Sequence, residues 1–229
     1  MLAKLKLLKT PKGIDSVLML SAMLIIWIGS YSNLDLTLAD SMFDATRARF
    51  AVNEGALAGR VQFVMPGLAI AVVLLALWDT WRPLAWSASR RVALRVTALS
   101  ALLVPVSMYL LSYFSGMLCP GDLLRYGGTV SYARLLEAAP ASASAMACLP
   151  AMQASTGWWL LALPLFFLPR QPRLAVLLAS AMLLCGLLFG WQQQMQGMQF
   201  FSHTLWSAWI ASFLIYLLHN MLKADDALA

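Results

Sequence analysis

Apolar residues in this chain gather into long unbroken runs rather than alternating with polar ones. Six runs stand out, at about 14–32, 62–81, 93–115, 148–168, 173–191 and 200–221. Each approaches the roughly 20 apolar residues that an α-helix needs to cross a bilayer. The pattern therefore predicts an all-α polytopic membrane protein of six transmembrane helices, with residues 1–229 forming one integral membrane domain. Pro105 and Pro164 fall inside the third and fourth runs and should kink them. Asp79, near the end of the second run, stands three residues before Arg82, a spacing that suits a helical ion pair.

Composition agrees. The chain is 61% hydrophobic and 11% charged, too apolar for a soluble domain of 229 residues. The net charge of +6 forms no continuous patch, which argues against nucleic acid as a partner. The basic residues recur between the runs instead. With six spans, Lys4, Lys6, Lys9, Lys12, Arg82, Arg90, Arg91, Arg95, Arg170, Arg173 and Lys223 share one side. On the other side, Arg47, Arg49, Arg60, Arg125 and Arg134 are offset by six acids. The positive-inside rule then puts both termini in the cytoplasm, as for a bacterial inner-membrane protein. The first run has the basic start and small-residue end of a signal peptide, with Ser30-Tyr31-Ser32. We read it as an uncleaved first helix.

Two segments on the outer side are long enough to hold structure. Residues 33–61 mix Leu34, Leu36, Leu38, Met42 and Phe43 with charges, which suits a short interfacial helix or a polar loop. Residues 116–147 carry a turn signal at Gly127-Gly128 and then an Ala/Ser/Pro run. Cys119 and Cys148 bracket this second segment. A disulfide is open to them in an oxidising compartment, and two free thiols fit the sequence equally. Cys185, in the middle of the fifth run, reads as a small buried apolar residue. No Cys/His cluster with zinc spacing is present, so no metal or other cofactor is expected. Trp158, Trp159, Trp191, Trp206 and Trp209 read as interfacial anchors. His203 and His219 lie about 24 Å apart along one helix, too far to share a haem.

Three stretches carry a more specific pattern: Ser112-x6-Cys119-Pro120, Pro150-Ala151-Met152-Gln153, and Gln193-x5-Gln199-x3-His203. Their spacing resembles the three-part signature of the type-2 phosphatidic acid phosphatase superfamily: Lys-x6-Arg-Pro, Pro-Ser-Gly-His, Arg-x5-His-x3-Asp. The flanking text, Cys119 to Gly128 and Phe200 to Ser207, reads like a bacterial branch of that family. The specific motifs cover residues 112–207, and the topology covers the whole chain.

The resemblance implies a six-helix bundle with a site at the outer, periplasmic helix ends. It also implies what is missing. In the family, a histidine at the Gln199 position attacks phosphorus, and one at the Gln153 position protonates the leaving alkoxide. Cations at the Ser112, Cys119 and Gln193 positions offset the phosphoryl charge, and an acid at the His203 position orients the nucleophile. A glutamine amide neither titrates near neutrality nor forms a phosphoramidate. The expectation is a catalytically inactive relative, either a module binding a lipid or isoprenoid headgroup or an accessory subunit of a membrane complex. An active membrane lipid phosphatase is the alternative. Gln153, Gln193, Gln199, His203, Arg125 and Tyr126 are the candidate lipid-binding residues, with membrane lipid and other membrane subunits as partners. A bridge between Cys119 and Cys148 would hold the Arg125–Gly128 stretch over the old pocket mouth.

Overall fold

The computed structural model describes residues 12–51, 56–115, 117–137, 148 and 157–226. Five of the six apolar runs are long helices: α1 (Lys12–Tyr31), α3 (Ala56–Trp81), α4 (Ala88–Ser115), α5 (Pro172–Met195) and α6 (Phe201–Asp226). All five are long and apolar enough to cross a membrane. In hydrocarbon every backbone N–H and C=O must find an internal partner, and a helix satisfies this within one segment. Hydroxyls in the spans behave the same way. Ser21, Thr97, Ser207 and Ser212 each donate to the carbonyl four residues earlier.

The fourth run departs from expectation. After Cys148, its described part resumes at Gly157 and continues as a 3-10 helix, Trp159–Phe167, with Pro164 inside. Proline has no N–H to donate, so the regular α ladder cannot pass through it. Among the described residues, five helices meet the length and composition of a span, against the six expected.

The 3-10 helix lies between α4, α5 and α6. Ala101, Val104 and Met108 of α4 meet Trp158, Trp159 and the small residues Ala208 and Ala211 of α6. Trp158 and Trp159 are 1% exposed and fill the core, so they are not the interfacial anchors expected. The indole of Trp158 fits because Gly186 of α5 presents no side chain; a Cβ there would overlap the ring. A second cluster, Val92, Val96, Ala162 and Ile215, continues the core toward the end where α4 begins. We call that the lower end, and the end carrying the α5–α6 turn the upper end.

Two further expectations are corrected. Asp79 pairs with Arg91 at 3.7 Å rather than with Arg82. Its side chain is 1% exposed and turned into the bundle, whereas Arg82 lies 5.9 Å over the Trp78 ring. Cys185 is exposed on α5 rather than buried. α1 is held to α6 by polar contacts: Trp209 Nε1 donates to the Leu18 carbonyl at 2.8 Å, and the Tyr216 hydroxyl to Asp15 at 2.5 Å.

At the upper end residues 33–51 are ordered. Helix α2 (Leu34–Met42) leads into a short hairpin of β1 (Phe43–Asp44) and β2 (Arg49–Phe50), with Phe43 opposite Phe50. Asp44 Oδ1 shapes the turn by accepting from the Thr46 N–H and hydroxyl. Phe43 and Phe50 pack on Tyr126 with centroids 5.1 and 5.2 Å away, tying the hairpin to loop 117–137.

The Trp158–Gly186 contact gives a test. Gly186→Ala should destabilise the bundle by about 1–3 kcal/mol through overpacking. Gly67→Ala, with open space around it, should not. Thermal unfolding of both variants in the same detergent separates the two cases.

Candidate functional site

The site is built around the turn from α5 to α6. Gly197 adopts φ 70° and ends α5. Its N–H bonds the Gln194 carbonyl at 2.9 Å, and the Met198 N–H bonds the Gln193 carbonyl at 3.0 Å. This is a Schellman closure, which needs a residue tolerant of left-handed backbone after the helix. The Phe50 ring lies where a side chain at Gly197 would go. The reversal brings Gln199 back against the last turn of α5. Gln199 Nε2 donates to Gln193 Oε1, and both side chains are buried.

The start of α6 is held by Asp35, from α2. Its carboxylate accepts the Ser202 N–H at 2.9 Å and the Ser202 hydroxyl at 2.5 Å, and it also bonds the Phe201 backbone. An anion at a helix N-terminus satisfies orphan N–H groups and meets the positive end of the dipole. Asp35 is 4% exposed, and burial raises its pKa above the ordinary carboxylate value despite the hydrogen bonds that pull the other way. Beside it is a cavity of about 10 Å³, space for roughly one water molecule. Asp35, Ser202, His203, Tyr132, Phe200 and Gly29 are among its walls. His203 is 4% exposed, hydrogen-bonds the Cys148 backbone and packs edge-on against Phe200 at 5.4 Å.

Loop 117–137 covers this end. Cys119 and Cys148 are joined in a disulfide, with Cα atoms 5.2 Å apart. The adjoining 3-10 turn, Pro120–Asp122, is tied to the α5–α6 reversal by the Gly121 N–H on the Gly197 carbonyl at 2.9 Å. The far end is pinned to α1. Arg134 donates to the Ser30 carbonyl and to Asn33, and the Leu135 N–H to the Gly29 carbonyl. Donor atoms of Cys119, Asp122 and Cys148 lie within 4.8 Å of one another, but sulfurs bonded to each other offer no thiolate to a metal.

The predicted site residues therefore fall into several groups. Gln193, Gln199, His203, Cys119 and Pro120 all sit at the upper end, on segments bonded directly to one another. Ser112 is buried nearby in sequence, but its hydroxyl donates to the Tyr109 carbonyl of its own helix. Arg125 and Tyr126 are committed to α2. The guanidinium makes a two-pronged contact with Asp40 at 2.7 and 2.6 Å, and the phenol donates to Asp40 at 2.9 Å. The Arg125 contact holds the Asp40 carboxyl below its ordinary pKa, and burial raises that of Tyr126. Gln153 lies outside the described residues, as do Pro150, Ala151 and Met152.

Sequence reasoning missed Asp35 and Ser202. One signal was present. On a helix Asp35, Ala39 and Met42 share a face at i, i+4 and i+7, and that is the buried face of α2. An acid on an otherwise apolar inward face implies a dedicated partner.

Chemically, the described site is neutral apart from Asp35. It offers amides, hydroxyls and an imidazole, and no cation among the described residues lines the cavity. Comparison with models of known protein families, with curated proteins and with solved structures returns no match.

Asp35→Asn tests the cap. Because the folded-state pKa is raised, the carboxyl contributes most below its unfolded value of 3.8, and that contribution fades as pH rises through the folded value. Unfolding of wild type and Asp35→Asn, followed from pH 4 to 8, should show a decline that the variant lacks. Asp35→Ala should cost about 1–3 kcal/mol at pH 4 by leaving α6 donors unpaired, and less as pH rises through the folded value. Replacing both Cys119 and Cys148 by serine should lower stability by about 3–4 kcal/mol on the chain-entropy account, read against wild type under non-reducing conditions.

Proposed function

We propose that this chain is a non-catalytic member of a lipid-phosphatase-like architecture, whose upper-end site holds a polar headgroup through hydrogen bonds. One observation carries the reading. Between residues 196 and 204 four buried polar atoms have no protein partner: Gln196 Nε2, Gln199 Oε1, His203 Nδ1 and Thr204 Oγ1. Buried polar atoms are nearly always paired, so such a concentration supports the reading that a polar group from elsewhere is accommodated here, and His203 of these residues also lines the cavity. The donors and acceptors are neutral amide, hydroxyl and imidazole, which suit hydroxyls or a sugar rather than a phosphate. Asp35 in the cavity wall adds to this, since an anion there would face a carboxylate.

The Gln193–Gln199 pair supports the loss of catalysis. At the positions where the family chemistry requires a cation and a nucleophile, two amides stand, joined by the bond from Gln199 Nε2 to Gln193 Oε1. Removing one charge-stabilising donor costs about 10²–10³-fold in rate, and here the nucleophile is replaced as well.

A second reading is supported by the cavity's size. At about 10 Å³ it admits little more than a water, which favours a packing relic inside an accessory subunit of a membrane complex.

Extraction in mild detergent, followed by mass spectrometry of lipids and proteins, separates the two. A retained lipid that Gln199→Leu releases supports headgroup binding. A stoichiometric protein partner that persists in Gln199→Leu, with no lipid retained, supports the subunit. Neither protein should release phosphate from phosphatidic acid above a vector-only control, and Gln199→His alone should stay inactive because the cationic clamp is still missing. Turnover abolished by mutating His203 would overturn the non-catalytic reading.

A further inference from the structure

A second feature lies at the lower end, remote from the glutamines. An open groove of about 510 Å³ runs between the 3-10 helix and α5, walled by Leu163, Phe166, Phe167, Leu178 and Met182. Trp86 and Arg90, from the connector and first turn of α4, complete its rim. The size falls within the range of small-molecule clefts, and all of the wall but Arg90 is apolar.

The rim is a built feature. Asp79 Oδ1 accepts the Leu84 N–H at 2.8 Å, and Arg91 donates to the Leu84 carbonyl at 2.8 Å while pairing with Asp79. This clamp fixes the connector and leaves Trp86 edge-on to Phe166, with ring centroids 6.2 Å apart. The two adjacent arginines have different fates. Arg91 turns inward to Asp79, whereas Arg90 is exposed at the groove, and among the described residues no carboxylate pairs with it. The first turn of α4 lies at the same place and adds the positive end of its dipole.

We infer that this groove holds one anionic phospholipid, its acyl chain along Leu163, Phe167, Leu178 and Met182 and its phosphate against Arg90. Two observations select that occupant. The wall is apolar, and Leu178 and Met182 in it belong to α5, which is long and apolar enough to span a membrane, so acyl chains are its surroundings. The one charged group at the rim is a cation with no carboxylate partner among the described residues, which complements a phosphodiester, and a tryptophan beside it is suited to the headgroup level. An arginine near a membrane surface favours an anionic lipid by about 1 kcal/mol, equivalent to roughly fivefold. This site is independent of the upper-end reading, because it shares no residue with it.

The test uses the full chain in detergent micelles, supplied with equimolar phosphatidylglycerol and phosphatidylcholine and read by native mass spectrometry. Wild type should retain phosphatidylglycerol about fivefold over phosphatidylcholine. Arg90→Gln should bring the ratio to parity, while Arg49→Gln, which removes the same charge at the other end, should leave it unchanged. Leu178→Trp, which fills the groove, should reduce lipid adducts of both kinds. Gln199→Leu should not alter the ratio, which keeps this result distinct from any headgroup bound above. Equal retention of the two lipids by wild type, a preference that survives Arg90→Gln, or one lost equally in Arg49→Gln would overturn the inference. So would protein mass, a second copy or another chain, displaced by Leu178→Trp in place of lipid.

Discussion

The upper end of this protein depends on one carboxylate. Asp35 belongs to a nine-residue helix between the first span and the hairpin, yet it supplies the N-terminal cap of the last span, 167 positions further along. A helix entering a bilayer must leave its first N–H groups satisfied, and water is scarce once that turn is buried. Asp35 meets this need with contacts to both the backbone and the hydroxyl of Ser202. The contact fixes α2 against α6, and α2 in turn carries Asp40, which holds Arg125 and Tyr126. The hairpin and loop 117–137 are thereby positioned. His203 follows Ser202 directly and inherits its placement from the same contact.

What could be read in advance follows from how local each signal was. Length and hydropathy identified five long helices, because a membrane span is specified by its own composition. The Gly127-Gly128 turn was equally local: Gly127 takes φ 90°, and a side chain at Gly128 would collide with the Asp122 backbone. Packing partners were not legible in this way. Trp158 and Trp159 carry an interfacial composition signal, but their burial depends on Gly186 of a different helix. Asp79 had a partner available at helical spacing, but its side chain turns into the bundle while Arg82 lies over the Trp78 ring. Arg91, arriving on α4, reaches the buried carboxylate instead. Asp35 was hidden for the same reason, since its partner lies on the other side of the sequence.

The glutamine positions show both sides of this. Their spacing brought Gln193 and Gln199 together, and the closure at Gly197 explains why that spacing works: a fixed reversal after α5 returns the chain by one turn. The geometry of the reversal does not depend on whether histidine or glutamine follows it. The shape of the turn is held independently of those side chains, because the closing bonds are backbone to backbone.

Charge is distributed in a way that bears on what each end can hold. At the upper end the cavity wall contains a buried acid and no cation among the described residues, and the nearby arginines 125 and 134 are already engaged with Asp40, Ser30 and Asn33. A phosphate brought there would lose hydration without gaining a counter-charge, which is unfavourable in a medium of low dielectric constant. At the lower end the situation is reversed. One arginine of an adjacent pair pairs with the buried acid Asp79, and the other is left facing an apolar groove. Among the described residues, the groove rim at the lower end thus offers a phosphate a cation that the wall of the upper cavity lacks. The apolar wall beside that cation is of the kind that accommodates an acyl chain.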